Sequence, residues 1–266
     1  MNIGLVGCGK MGSALTLGAI KAGVFQASQV IAYHPNPAVI ASLGDEITPA
    51  GSLEEVISAS DILLLCVKPI DIPQILSKIP SANQDPANLL VISVAAGVTL
   101  SNMEKASKGK ARLIRAMPNT PALVGEGAAA FALGFKATES DSDFAKKLLS
   151  SIGIVYEVKE SLLDAVTGVS GSGPAYVYTF IEALADGGLF EGLPRDKALA
   201  LATQTVLGAA KMISESGEHP AILRDRVTSP GGTTIAGLAA LEEGAFRSTT
   251  IKAVKAAAAR ARELGA

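Results

Sequence analysis

A glycine-rich turn near the start of the chain constrains its fold more than any other feature. Residues 3–12, IGLVGCGKMG, place a G-x-G-x-x-G pattern directly after a strand-like run and at the head of a helical pattern. The three glycines permit a tight turn, a close approach of the backbone to a pyrophosphate, and close packing of helix on strand. Glycine turns also serve purely structural ends, but this context favours a dinucleotide site. The predicted cofactor contacts here are Val6, Gly7, Cys8, Gly9, Lys10, Met11 and Gly12.

The first 158 residues alternate short apolar, β-branched runs with helical patterns. The predicted strands are residues 2–6, 29–33, 62–67, 89–94, 112–116, 128–133 and 152–158. The predicted helices between them are residues 11–22, 53–59, 72–79, 101–106 and 139–150. Continuous apolar strands separated by helices indicate a doubly wound parallel sheet with helices on both faces. We therefore expect an α/β fold with a dinucleotide-binding domain over residues 1–158.

Residues 159–266 show helical spacing only, which predicts an all-helical second domain. The clearest helices are residues 175–189, 195–216 and 253–264, and a tight break is expected at residues 170–173. Mean hydropathy is +0.37, high for a water-soluble protein. The apolar run between Lys197 and Lys211 covers only about 13 residues, short of the roughly 20 that a membrane span needs. We expect the helices to be buried against a second copy of the chain, so this domain is predicted to mediate dimerisation.

Composition excludes several classes of partner. The net charge is −2 with no basic cluster, so neither nucleic acid nor an anionic membrane is an expected partner. Cys8 and Cys66 are far apart and form no C-x-x-C, which indicates reduced thiols in a cytoplasmic protein. No basic and apolar signal segment opens the sequence. Only His34 and His219 are present, and no His/Cys/carboxylate cluster has metal-ligand spacing, so no metal is expected.

The end of the second predicted strand bears on the choice of dinucleotide. NAD sites usually carry an acidic residue there, about twenty positions after the glycine turn. In this chain no acidic residue precedes Asp45 and no arginine precedes Arg112. His34, Asn36 and Lys10 are the candidate contacts of a 2′-phosphate, although His34 could equally be an exposed turn residue. The pattern favours NADPH and leaves NADH possible.

Two further loops are expected to border the cofactor, since ligands of doubly wound sheets bind at the carboxyl ends of strands. Ser52 has two interpretations, a helix cap with Glu55 three positions later or a cofactor contact. The candidates from the two loops and this cap are Val67, Lys68, Pro69, Ala95, Ala96 and Ser52.

Four segments together resemble pyrroline-5-carboxylate reductases. They are MPNTP at 117–121, DAVTGVSGSGPAY at 164–176, EALADGG at 182–188 and DRVTSPGGTTI at 225–235. The resemblance runs in order over nearly the whole chain. It implies reduction of 1-pyrroline-5-carboxylate to L-proline, the last step of proline biosynthesis, by hydride transfer from NADPH or NADH. It also implies that residues 1–158 form a Rossmann domain. A further implication is a homo-oligomer built from dimers, in which each active site is completed by the partner subunit.

The candidate substrate site agrees with that chemistry, because a cyclic imine with a carboxylate needs N–H and O–H donors. Proline and glycine at 230–232 make a loop, and two threonines enter a helix whose first N–H groups are free. The resemblance makes Thr234 the catalytic candidate at the imine nitrogen. An ordinary helix cap is the alternative. The predicted substrate contacts are Ser229, Gly231, Gly232, Thr233, Thr234, Asn119 and Glu160. Asn119 could equally only shape the turn. For Glu160 the sequence favours the alternative of a solvated charge at a helix start.

Sequence features disfavour two rival functions. A hydroxyacid-dehydrogenase type of reductase would show a catalytic lysine in a G-x-x-x-K pattern of the helical half. No lysine occurs between Lys159 and Lys197, which disfavours it. A non-catalytic dinucleotide sensor would not need a second anion site such as residues 229–234.

Overall fold

The computed structural model describes residues 1–265 as two compact units. The first comprises Met1–Ser172 together with the chain end from Lys255, and the second is Gly173–Val254. The first unit therefore extends past residue 158, the domain boundary predicted from the sequence, and it also includes the last helical turns of the chain. The predicted boundary between a dinucleotide-binding and a substrate-binding domain at residue 158 stays a prediction.

An eight-stranded sheet forms the centre of the first unit. Its strands are β1 Ile3–Val6, β2 Val30–Tyr33, β3 Thr48–Pro49, β4 Ile62–Leu65, β5 Leu90–Ser93, β6 Arg112–Met117, β7 Gly127–Leu133 and β8 Gly153–Glu157. They lie in the order β3-β2-β1-β4-β5-β6-β7-β8, and every neighbouring pair is parallel except β6 and β7. The mostly parallel α/β fold is confirmed, with β3 as an additional short strand.

The antiparallel pairing of β6 and β7 departs from the expected parallel sheet and has a simple cause. The connection between Met117 and Gly127 holds one short 3₁₀ turn, Thr120–Val124. A parallel pair needs a crossover of a dozen or more residues, and this connection is too short for one. The chain therefore turns back, and β7 and β8 run opposite to the first six strands.

The first unit contains seven helices among the described residues before its boundary at Ser172. They are α1 Lys10–Lys21, α2 Pro37–Ala41, α3 Leu53–Ala59, α4 Ile72–Ala82, α5 Leu100–Ala106, α6 Glu139–Ser150 and α7 Leu163–Val166. Side-chain caps begin several of them. Thr138 accepts the Asp141 N–H while Asp141 accepts the Thr138 N–H, and Thr99 accepts the Asn102 N–H. The short α2, which the periodicity missed, begins at a proline after the cap Asn36.

Alternate residues of the central strands bury opposite faces of the sheet. On β4, Leu64 belongs to a core with Leu15 of α1 and Leu148 of α6, whereas Leu63 packs on the other side with Leu76 of α4. All five side chains are 1% exposed or less. Such burial of both faces explains why these strands are apolar without alternation.

The second unit consists of helices: α8 Gly173–Phe190, α9 Arg195–Ser216, α10 Pro220–Arg226, α11 Thr233–Glu243 and the first turns of α12 Phe246–Gly265. Its buried cluster contains only Ala185, Ala198 and Ala202. The expected break at 170–173 is replaced by a π-helical turn at Thr167–Gly171, in the first unit. Across residues 1–265, no helix is both long and apolar enough to cross a membrane.

Candidate dinucleotide and substrate sites

Each glycine of the turn after β1 has its own physical reason. Gly7 has a left-handed φ of +95°, and a Cβ there would lie 2.4 Å from the Cys66 carbonyl oxygen. A Cβ on Gly12 would lie 2.1 Å from the Gly7 carbonyl oxygen, so α1 can pack on the turn only without a side chain. Gly9 differs, because nothing lies within 4 Å of its Cβ position. The open space at Gly9 fits a pyrophosphate over the N-terminus of α1.

A cavity of about 400 Å³ adjoins this turn at the carboxyl ends of β1, β2 and β4. Its lining includes Gly7, Tyr33, Pro35, Ser52 and Val67. Ligands of doubly wound sheets bind at this edge, and the cavity is a suitable size for the adenosine half of a dinucleotide. The remaining predicted contacts in this turn differ in exposure. Val6 and Cys8 are buried, Met11 is half-buried, and Lys10 is exposed at the first position of α1.

The end of β2 leaves two hydrogen-bond donors available. His34 Nδ1 lies 3.1 Å from the backbone N and O of Asn36. When Nδ1 accepts the Asn36 N–H, the proton of the neutral ring lies on Nε2. The Asn36 side-chain oxygen accepts the Ala38 N–H at 3.1 Å and caps α2, so its amide NH₂ faces away from that bond. Both side chains can therefore donate to an anionic group.

Ser52 caps α3, which is the first of the two interpretations given for it. Its hydroxyl oxygen accepts the Glu55 N–H at 3.1 Å. The Glu55 carboxylate accepts the N–H of Gly51 at 2.7 Å, one residue before the cap, so the reciprocal half of the box is displaced. Ser52 nevertheless lines the cavity, and its hydroxyl proton stays available to a ligand.

The loops after β4 and β5 lie at the same edge of the sheet as the glycine turn. Val67 is half-buried, and Lys68 and Pro69 are exposed. Ala95 is 4% exposed and Ala96 is half-buried. Small side chains at these two positions leave room for a flat ring to approach the backbone.

Neither cysteine near the turn is suited to nucleophilic chemistry. Burial raises the pKa of the Cys8 thiol to about 11. Burial, with a smaller contribution from the neighbouring Cys8, raises the pKa of Cys66 to about 12. Only the thiolate is a good nucleophile, so both residues act as packing groups at neutral pH.

Asn119 ties two segments of the first unit together. Its amide NH₂ donates to the Ser170 carbonyl at 3.0 Å, and its side-chain oxygen accepts the Ala128 N–H at 2.8 Å. The residue is 8% exposed. These bonds account for a turn-shaping role, the second interpretation of Asn119. A substrate contact remains a prediction.

Glu160 belongs to a partly buried ion network that sequence reasoning missed. Its carboxylate accepts the Leu100 N–H at 2.6 Å and an Arg115 guanidinium N–H at 3.2 Å. Asp164 accepts a second guanidinium N–H at 3.1 Å, and the Arg115 side chain is 5% exposed. A charged residue within the apolar strand RLIRAM was the available signal, since buried arginines require partners. The contact of Glu160 with a ring nitrogen stays a prediction.

The remaining site residues lie together in the second unit at the start of α11. Gly232 N–H donates to the Ser229 carbonyl at 3.1 Å, and Gly231 has a φ of +66°. Pro230 followed by a left-handed glycine is the pattern of a type II turn. A Cβ on Gly232 would lie 2.3 Å from the Ser229 hydroxyl, so glycine lets that hydroxyl approach the helix start.

The threonines complete this donor cluster. Thr233 is the first residue of α11 and Thr234 the second, and no side chain caps the helix. Among residues 1–265, neither threonine hydroxyl caps the helix, and the first N–H groups of a helix have no partner inside it. Hydroxyl and N–H donors near the positive end of a helix suit an anionic group, so a carboxylate contact here stays a prediction.

These features define a class of protein, a dinucleotide-dependent oxidoreductase with a Rossmann unit and a helical unit. A sequence profile described as pyrroline-5-carboxylate reductase dimerisation matches residues 160–264. A second profile, NADP oxidoreductase coenzyme F420-dependent, matches residues 2–97. The pyrroline-5-carboxylate reductase of Pisum sativum is 48% identical over 99% of this chain and 96% of its own length. That of Methanosarcina acetivorans is 46% identical over 99% and 98%.

Solved structures agree. The pyrroline-5-carboxylate reductase of Coxiella burnetii has a TM-score of 0.92 and 32% identity, covering 100% of this chain and 98% of its own. The Plasmodium falciparum enzyme, solved with NADP bound, has a TM-score of 0.89 and 32% identity over the same shares. The chain belongs to the pyrroline-5-carboxylate reductase family. It is an NAD(P)H-dependent oxidoreductase of proline biosynthesis with a C-terminal dimerisation domain.

Proposed function

We propose that the chain reduces 1-pyrroline-5-carboxylate to L-proline with NADPH in preference to NADH, at sites shared between two subunits. The observation that carries this proposal is the pairing of an open pyrophosphate turn at Gly9 with the donor cluster at residues 229–234. The first suits the dinucleotide and the second suits the carboxylate of a small ring.

When bound, a reduced nicotinamide cofactor would supply the hydride for the new C–H bond at the imine carbon. The C=N π pair then becomes a lone pair on nitrogen, which must carry one proton in the secondary amine product. Thr234 is the proposed catalytic residue, because its hydroxyl does not cap α11 and stands at the helix start that holds the carboxylate. A threonine hydroxyl is a weak acid, so it relays or orients the proton.

Ser229 and Thr233 are proposed to hold the substrate carboxylate with the first N–H groups of α11. Gly231 and Gly232 act through the turn, which brings the Ser229 hydroxyl to that helix end. Asn119 and Glu160 are the further proposed contacts of the substrate ring. The Arg115 and Leu100 partners of Glu160 fix its carboxylate, which makes orientation of the substrate its proposed contribution.

The preference for NADPH rests on the end of β2. No carboxylate stands at residues 33–36 to hold ribose hydroxyls, and His34 and Asn36 offer donors to a 2′-phosphate. Lys10 adds a positive charge at the start of α1. The other proposed cofactor contacts are Val6, Gly7, Cys8, Gly9, Met11, Gly12, Ser52, Val67, Lys68, Pro69, Ala95 and Ala96.

The substitution Asn36→Asp tests this preference with little change of shape. Aspartate also caps helices, so α2 should keep its start. A new carboxylate within about 5 Å of a phosphate should weaken NADPH binding about tenfold, by 1 to 2 kcal/mol. The Kd for NADH, titrated by fluorescence on the same sample, is the matched control and should not rise. Equal weakening of both cofactors would place the 2′-phosphate elsewhere.

The assembly is proposed to extend beyond a dimer, and the compartment to be the cytoplasm. On β8, Ile154 and Tyr156 are more than half exposed and supply an apolar surface. They lie outside the dimerisation segment, the residues 160–264 that match the dimerisation profile. Cys8 and Cys66 are free thiols, which supports a reducing compartment. Sedimentation equilibrium would give the oligomer number.

Steady-state turnover with racemic pyrroline-5-carboxylate and each reduced cofactor tests the whole proposal. The expected outcome is proline formation with a higher kcat/KM for NADPH. If neither NADPH nor NADH supports proline formation, the proposal is wrong.

A further inference from the structure

The loop between β5 and α5, residues 94–99, is contacted by both ends of the dimerisation segment. From the start of that segment, Glu160 accepts the N–H of Leu100, the first residue after the loop, at 2.6 Å. From its end, α12 reaches the loop itself at Gly97. All these residues belong to the first unit.

The contact at Gly97 is made between backbones. Gly97 has a left-handed φ of +78°, and a Cβ there would lie 3.1 Å from the Leu264 Cβ and 3.3 Å from its carbonyl carbon. In turn, a Cβ on Gly265 would lie 2.5 Å from the Gly97 carbonyl oxygen. Asn102 of α5 also lies with its amide nitrogen 3.5 Å from the Gly265 carbonyl oxygen. Glycine is therefore required on both sides of the contact.

The Glu160 side of the loop is equally fixed. The same carboxylate oxygen that accepts the Leu100 N–H also accepts from Arg115, whose side chain is 5% exposed. Arg115 lies on β6, next to β5 in the sheet. These bonds restrict the backbone conformation at the C-terminal end of the loop.

We propose that Leu264 and Gly265 are positioning residues that hold the 94–99 loop in the shape that binds the nicotinamide dinucleotide. This inference rests on the proposed function, in which Ala95 and Ala96 of the loop contact the cofactor. The contact of Leu264 and Gly265 with the loop then strengthens cofactor binding. By linkage, bound cofactor stabilises the packing of these two residues on the loop. If residues 264 and 265 only stabilise the fold, their substitution would lower the free energy of unfolding and leave the Kd for the cofactor unchanged.

The test uses the full-length enzyme with Gly265→Val, whose side chain would push the chain end away from the Gly97 carbonyl. Without cofactor, amide hydrogen exchange of residues 95–103 should become faster. The Kd for NADPH should rise about tenfold, within the usual range of coupling between sites. KM for NADPH should rise with it, while kcat at saturating NADPH stays within about twofold, because only loop ordering is affected.

Two further variants keep the test decisive. A chain that ends at Glu263 removes the contact without a clash and should reproduce both changes. Glu263→Ala is the matched control, since this exposed residue bonds to Arg260 on its own helix and should leave loop and Kd unaltered.

The outcomes separate this inference from the proposed function. If the wild-type loop is protected by NADPH, but Gly265→Val and the shortened chain keep wild-type exchange and Kd, the positioning role is wrong and the cofactor site stands. If NADPH gives the wild-type loop no protection, the cofactor site itself is wrong.

Discussion

The two units of the chain bury their apolar residues to very different extents. In the first unit, Phe131 at the centre of the sheet is fully buried. In the second, Phe190 is 91% exposed, Leu201 58% and Ile251 60%, and the buried cluster consists of three alanines. Full burial of a large apolar side chain contributes about 1.5 to 3 kcal/mol, so the second unit alone forgoes most of that stabilisation. The unit matches a dimerisation profile, so we expect a second copy of the chain to cover these apolar side chains.

The largest effect is expected when a charge is placed on this open surface. Leu201→Glu would bury an unpaired carboxylate between subunits, which costs several kcal/mol. We expect monomers at micromolar concentration in analytical ultracentrifugation, with nearly complete loss of turnover. Phe135→Glu is the matched control, because Phe135 is 94% exposed on the first unit and should tolerate the charge. A dimeric, active Leu201→Glu enzyme would show that α9 faces solvent at this position.

The next effect concerns what the second unit contributes to the chemistry. Thr234→Ala should lower kcat about 10²-fold or more with a smaller rise in KM, since a proton-positioning group acts as the transition state forms. Ser229→Ala should instead raise KM with little change in kcat, because a carboxylate contact is made in ground and transition states alike. Both variants should first show the wild-type Kd for NADPH. Unchanged kcat in Thr234→Ala would leave that residue as a helix-start residue only.

The same contrast explains which parts of the fold were predictable from sequence. Strands of the first unit were found within one or two residues, because burial on both faces produces continuous apolar runs such as ILLL in β4. Helix α9 was predicted at its observed bounds, Arg195–Ser216. The short α2, the two-residue β3 and the direction of β7 were missed, because a proline-initiated turn, an edge bridge and a short connection leave no periodic signal.

The site divides along similar lines. The glycine turn and the Ser/Gly/Pro loop were predictable, since their backbone conformations admit few residue types, such as glycine at Gly7 and Gly231. The Arg115 network and the contact of Gly97 with Gly265 were not, because they join positions far apart in sequence. Only the packed structure shows why a glycine lies near the end of a strong helix.

A smaller effect should distinguish two glycines of the first unit, Gly12, which packs on the turn, and Gly9, which faces open space. Gly12→Ala places a Cβ 2.1 Å from the Gly7 carbonyl and should lower the free energy of unfolding by about 1 to 3 kcal/mol. Gly9→Ala meets no atom within 4 Å and has a φ of −70°, and alanine is only a poorer N-cap than glycine, so thermal unfolding should change less than in Gly12→Ala. Its Kd for NADPH should nevertheless rise, since the methyl group occupies the space left for the pyrophosphate. A Gly9→Ala enzyme with normal NADPH affinity would argue against a dinucleotide over this turn.

The smallest effect on the enzyme is expected from alkylating reagents, which test how closed the first unit is. Burial raises the pKa of Cys8 from an ordinary 9.0 to about 11, so the folded state favours the neutral thiol. The stability linked to this group is therefore fully present below about pH 9 and is lost as the pH rises through about 11. At pH 8, iodoacetamide should label Cys8 about 100-fold more slowly than in the urea-unfolded chain, because the thiolate fraction falls by that factor. Activity should persist throughout the incubation. Rapid labelling of Cys8 in the native dimer, followed by mass spectrometry, would mean that the turn beside it opens far more often than its 1% exposure indicates.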